Sequence, residues 1–127
     1  MPYISHFVPG VPYGQDKSRG DITAPKRWTD AVVSHTKDLP RIEHACILKV
    51  TFLLPPDKFP TDLPYGPDVD NLLKRFMDAL SQTIFSKTPG KDSCVVSLNV
   101  TKARAESLKS SGVHFEILPV DVIEEGR

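Results

Sequence analysis

Residues 55–67 read PPDKFPTDLPYGP, and no other stretch constrains the fold of this chain as strongly. Five of the twelve prolines fall within it. Each proline removes a backbone donor and fixes φ, so neither a helix nor an interior strand can run through the segment. Whatever forms on either side must be a separate element, joined by an irregular loop that delivers the chain to Asp68.

The two sides differ in period. Ahead of the loop, HACILKVTFLL alternates: Cys46, Leu48, Val50, Phe52 and Leu54 share one face, with Ile47, Lys49, Thr51 and Leu53 opposite. Alternation of this kind predicts a strand. Behind the loop the period changes to that of a helix, from Asn71 to about Ile84, with Leu72, Leu73, Phe76, Met77, Leu80 and Ile84 on the apolar face.

Weaker patterns complete the order. Residues 3–8 form a short apolar strand, and a loop rich in glycine, proline and polar residues covers 9–25. PKRWTDAVVSHTKDL places Trp28, Ala31, Val32 and His35 near helical spacing. SCVVSLNVTKAR predicts a strand with Cys94, Val96, Leu98 and Val100 on one face, and VHFEILPV a last strand. The expected order is β–α–β–α–β–β: a single α+β domain over 1–127, two helices on a small mixed sheet, with a frayed tail at 121–127.

Length and composition fit one soluble domain with one core. No apolar run reaches the roughly 20 residues needed to span a bilayer, and the first ten residues lack a secretory pattern. An intracellular, cytoplasmic protein without a membrane partner is therefore expected. Cys46 and Cys94 both fall in expected strands, without zinc-ligand spacing, and read as reduced, buried side chains. The four histidines show no ligand spacing either and read as surface groups.

Formal net charge is zero, but its distribution is uneven. Between Lys74 and Lys109 stand seven basic residues and three acidic ones, a weak signal for a phosphate-facing surface.

The acids repay closer attention. Residues four apart share a helix face, so Asp70, Lys74 and Asp78 form a polar column away from the apolar stripe. Asp68 stands at the helix start beside Asp70, and Asp92 follows a glycine turn before the next strand. Hard divalent cations take oxygen ligands, and phosphoryl chemistry recruits carboxylates to hold them. Helix capping by the aspartates, with i,i+4 ion pairs to Lys74, accounts for the same residues equally simply.

Read together, PDVDNLLKRFMDAL, DSCVVSLNVTKARAE and GVHFEI resemble the RusA family of Holliday junction resolvases, most strongly across residues 66–117. The resemblance implies that Asp68 and Asp70 are paired metal-binding aspartates, Asp92 the third essential acid and metal ligand, and Lys74 the catalytic lysine. Asn71 and Asp78 also match, as residues behind the ligands or as helix structure. It implies Mg²⁺ or Mn²⁺ as cofactor, four-way branched DNA as partner, paired nicks leaving 5′-phosphate and 3′-hydroxyl ends, and a homodimer. Lys17, Arg19, Arg75, Lys87, Lys91, Lys102 and Arg104 are candidate contacts to DNA phosphates.

The chain departs from the family pattern at several places. Lys91 stands where a second acid is usual, and Cys94 replaces a glutamine. The turn SKTPGK is longer, and the segment before Asp68 is proline-rich rather than basic. A catalytically weakened dimeric nucleic-acid-binding protein of the same fold is the alternative these departures support. An interaction protein whose acids only cap is a third reading.

Overall fold

The computed structural model describes residues 3–14, 23–61 and 65–120. The expected loop candidates Lys17 and Arg19 and the tail at 121–127 lie outside the described residues.

The elements follow the expected order: β1 (Ile4–Pro9), α1 (Ala24–Thr36), β2 (Cys46–Leu54), α2 (Val69–Leu80), β3 (Val95–Arg104) and β4 (Gly112–Pro119). They build one four-stranded sheet in the order β1-β4-β2-β3. β2 runs parallel to β3 and antiparallel to β4, which also pairs antiparallel with β1. The parallel pair requires a crossover, and α2 supplies it. The fold is a small α+β domain with a mixed sheet and two helices.

The alternation of β2 is reproduced residue by residue. Cys46, Leu48, Val50, Phe52 and Leu54 are buried, and Ile47, Thr51 and Leu53 are half-buried on the opposite face. β4 adds Val113, Phe115 and Ile117 to the buried side, and α2 covers it with Leu72, Phe76, Met77, Ala79 and Leu80. Phe76 lies edge-on between Phe52 and Phe115, with centroids 5.7 and 5.4 Å away. Burying one such ring contributes roughly 1.5–3 kcal/mol beyond leaving it in water, before any gain from the aromatic geometry.

Four local expectations are corrected. The second helix spans Val69–Leu80 rather than extending to Ile84. Beyond Leu80 the hydrogen bonds shorten to three-residue steps, Gln82 to Ala79 and Thr83 to Leu80. Ile84 is nonetheless fully buried, and its carbonyl accepts from the Ile42 amide at 2.9 Å. In α1 the inward face is Trp28, Val32 and Thr36, while His35 is exposed. Thr36 can be buried because its hydroxyl reaches the Val32 carbonyl and the Thr83 hydroxyl, each at 2.7 Å.

The third correction concerns β3. Cys94 belongs to a 3₁₀ turn (Lys91–Cys94) before the strand and is half-buried. Cys46 pairs with Val95 but Ile47 pairs with Ser97, so Val96 is an extra residue in the ladder. This bulge breaks the expected face: Val95 packs on the core and Val96 is 60% exposed. Both cysteines are free thiols. His6 also differs from a surface reading, because the β1–β4 register sets it against Phe115 and half-buries it.

Candidate active site

Asp68 occupies the N-cap position of α2, with an extended backbone at φ −67° and ψ 142°. A capping aspartate in this position turns its carboxylate back onto a free amide of the first turn. Asp68 does not: its side chain makes no capping bond, and only its carbonyl serves the helix, accepting from Leu72 at 3.1 Å. The carboxylate is exposed and unengaged among the described residues. Asp70 is exposed in the first turn, accepting from the adjacent Asn71 amide at 3.1 Å. Both carboxylates lie at the positive end of the helix dipole, which favours negative charge there.

Lys74 follows one turn later, exposed, on the polar column expected from spacing. The ion pairs that spacing permits, with Asp70 and with Asp78, are not formed. Instead Lys74, Asn71, Arg75 and Asp78 line a cleft of about 230 Å³, to which Thr29 of α1 also contributes. Nothing in the local sequence marks Thr29, because only the packing of α1 against α2 brings it there. Arg75 is half-buried with its guanidinium carbon 5.2 Å from the Tyr13 ring centroid, a cation–π contact.

Asp92 is separated from this group. It sits in the 3₁₀ turn that opens β3, after Gly90 and Lys91, which both adopt positive φ, at 75° and 52°. Thr88, just ahead, bonds the Ile42 carbonyl, and Cys94 follows beside Cys46, so the turn lies at the start of β2. The beginning of α2 lies at the other end of the strands, where Lys102 reaches Pro67. At 1.5 Å per residue, α2 alone separates Asp68 from the far end by about 18 Å. Among the described residues no three of His, Cys, Asp and Glu cluster as a metal site. One chain therefore brings Asp68 and Asp70 together and keeps Asp92 away from them.

The basic candidates divide in the same way. Lys87, Lys91 and Arg104 are exposed, and Lys87 and Lys91 flank the Asp92 end. Lys102 is half-buried and already engaged: its Nζ donates to the Pro67 carbonyl at 2.7 Å and lies 5.6 Å from the Phe59 ring centroid. Beside the Asp92 turn, burial and the neighbouring Cys94 push the Cys46 thiol up to about 12. Burial also raises Cys94.

Two exposed carboxylates, neither of them in an ion pair, form a donor set that suits Mg²⁺, which typically keeps several waters and takes only one or two carboxylates plus substrate phosphate. The residues at the start of α2 fit such an ion. No described helix is long and apolar enough to cross a membrane. A family model described as endodeoxyribonuclease RusA matches residues 22–116, a span that includes both helices, β2, β3 and every described member of the site. No curated protein matches the chain.

Proposed function

The chain belongs to the RusA endodeoxyribonuclease family, and from that premise we propose that it is a divalent-metal-dependent, structure-specific nuclease that resolves four-way DNA junctions by paired nicks in recombination and repair. The observation that carries this reading is the Asp68 carboxylate, which stands at a helix start without capping it. Capping alone would have engaged it.

In this reading Asp68 and Asp70 hold Mg²⁺ or Mn²⁺, which when bound supplies Lewis acidity at the scissile phosphate. Lys74, free of the ion pairs its spacing allows, offers its ammonium to the negative charge that develops on the phosphoryl oxygens. Asn71, Asp78 and Thr29 line the cleft beside it and orient water and phosphate there. Lys87, Lys91 and Arg104, with Arg75 on its Tyr13 support, provide charge along flanking phosphates without reading sequence.

The separation of Asp92 from Asp68 and Asp70 supports a two-fold homodimer in which each centre takes Asp68 and Asp70 from one chain and Asp92 from the other. Two such centres would also match the approximate two-fold symmetry of a four-way junction, which needs two matched cuts.

The test uses purified protein with end-labelled four-way, flap and linear DNA, with and without Mg²⁺ or Mn²⁺, and Asp70→Asn as control. Paired, metal-dependent nicks in the four-way substrate, lost in the variant, are expected. Binding without nicks under any metal would leave only the non-catalytic binding module.

A further inference from the structure

As a basic residue, Lys102 stands among the candidate phosphate contacts. Its surroundings point elsewhere. Lys102 pairs with Phe52 across the β2–β3 ladder, so its side chain rises on the helix-covered face of the sheet. There its Nζ donates to the Pro67 carbonyl at 2.7 Å, and the same ammonium lies over Phe59. Phe59 in turn stacks on Tyr65, with centroids 5.9 Å apart and planes 28° from parallel. Pro67 immediately precedes Asp68. The ammonium therefore ties the edge strand to the last peptide before the proposed metal ligand.

A proline-rich loop needs such a tie. Prolines cannot donate backbone hydrogen bonds, so the segment that leads into Asp68 has few means of fixing itself. Gly66, at φ 87°, passes so close to the Lys58 carbonyl that a side chain there would collide with it. The Pro67 carbonyl, the last before Asp68, accepts from Lys102, and a charged donor makes the stronger bond. Lys102 supplies that donor from a strand, a rigid element, across 35 residues of sequence.

We propose that Lys102 is a positioning residue for Asp68: it fixes the Pro67 peptide and thereby the direction of the Asp68 carboxylate, and it is not a contact to DNA. This rests on the reading of Asp68 as a metal ligand. Groups that orient a ligand from behind typically change metal affinity by about 10- to 100-fold when removed.

The experiment compares wild type, Lys102→Met and Lys102→Arg in three measurements. Methionine keeps a long apolar stem against Phe59 and removes the ammonium, whereas arginine can still donate to the carbonyl. Calorimetric titration with Mn²⁺ in the absence of DNA should show affinity falling about 10- to 100-fold in Lys102→Met and recovering in Lys102→Arg. The salt dependence of four-way-junction binding should keep its slope. Unchanged Mn²⁺ affinity with a slope lowered by about one would make Lys102 a phosphate contact and overturn the proposal. A fall in thermal midpoint with unchanged Mn²⁺ affinity would reduce it to a packing residue, which also overturns it. If wild type binds no Mn²⁺, the metal reading fails on its own account. Amide exchange at Leu72, bonded to the Asp68 carbonyl, then decides the positioning claim: faster exchange in Lys102→Met upholds it, and unchanged exchange ends it.

Discussion

Asp68 and Asp92 stand at opposite ends of α2, one at its N-cap and the other in the turn that follows its return to the sheet. A parallel β2–α2–β3 unit enforces this, because the crossover helix must carry the chain back along the full length of the strands before β3 can begin.

The proposed shared centre predicts subunit complementation. Asp70→Asn and Asp92→Asn proteins should each be inactive alone. After mixing and exchange, a heterodimer places both substitutions in one centre and leaves the other intact. Restored single nicks in the four-way substrate are the expected result. A mixture as inactive as its components would exclude a shared centre.

Asp68→Ala separates ligand from cap. Loss of a working aspartate cap costs about 0.5–2 kcal/mol. Since the Asp68 side chain caps nothing, the denaturant midpoint should move by less than the lower end of that range, while metal-dependent nicking falls below detection. Destabilisation near the upper end would restore the capping account.

Lys74→Met should lower kcat by about 10²–10³, the loss typical of removing one donor to a developing oxyanion, with little change in junction affinity. The check is single-turnover cleavage at saturating protein. A matching fall in affinity would move Lys74 from chemistry to binding.

The cysteine pair predicts an alkaline effect. The Cys46 thiol is pushed up to about 12 from an ordinary 9.0, so between those values the unfolded chain releases a proton that the folded chain retains. Stability from this group is complete below pH 9 and is lost as pH rises toward 12, by at most about 1.4 kcal/mol per pH unit. Denaturant midpoints at pH 8 and 10.5 should fall less in Cys46→Ala than in wild type. Equal falls would show that the thiol keeps no proton advantage on folding.

The strand–loop–helix core was legible because its signals are local. β2 announces itself by alternation, the prolines of 55–67 forbid continuation, and the stripe from Leu72 to Leu80 has the helical period. The paired acids were legible as residues and, through the family resemblance, as candidates. What escaped depends on distant partners. The buried Thr36 hydroxyl is satisfied by the Val32 carbonyl one turn back and also by Thr83, 47 residues on. Thr29 joins the cleft through packing of one helix on the other, and Lys102 finds its acceptor in a carbonyl that sequence does not distinguish. The distance between Asp92 and Asp68 follows from the parallel pairing of β2 and β3, which depends on how the two strands meet in the sheet.

The bulge at Val96 gives β3 something like a reading frame. Side chains alternate between faces with a period of two, so one inserted residue exchanges the two sets over the rest of the strand. Were Val96 paired as an ordinary strand residue instead of bulged out, Lys102 would pair with Leu53 and emerge on the uncovered side of the sheet, and Thr101 would pair with Phe52 in its place. The count of residues from Asp92 to Lys102 and the presence of the bulge are therefore matched in this chain. A single-residue deletion at the bulge would be absorbed by regular pairing and keep Lys102 opposite Phe52, whereas one between Ser97 and Thr101, with the bulge kept, would put the lysine out of phase with the loop it holds.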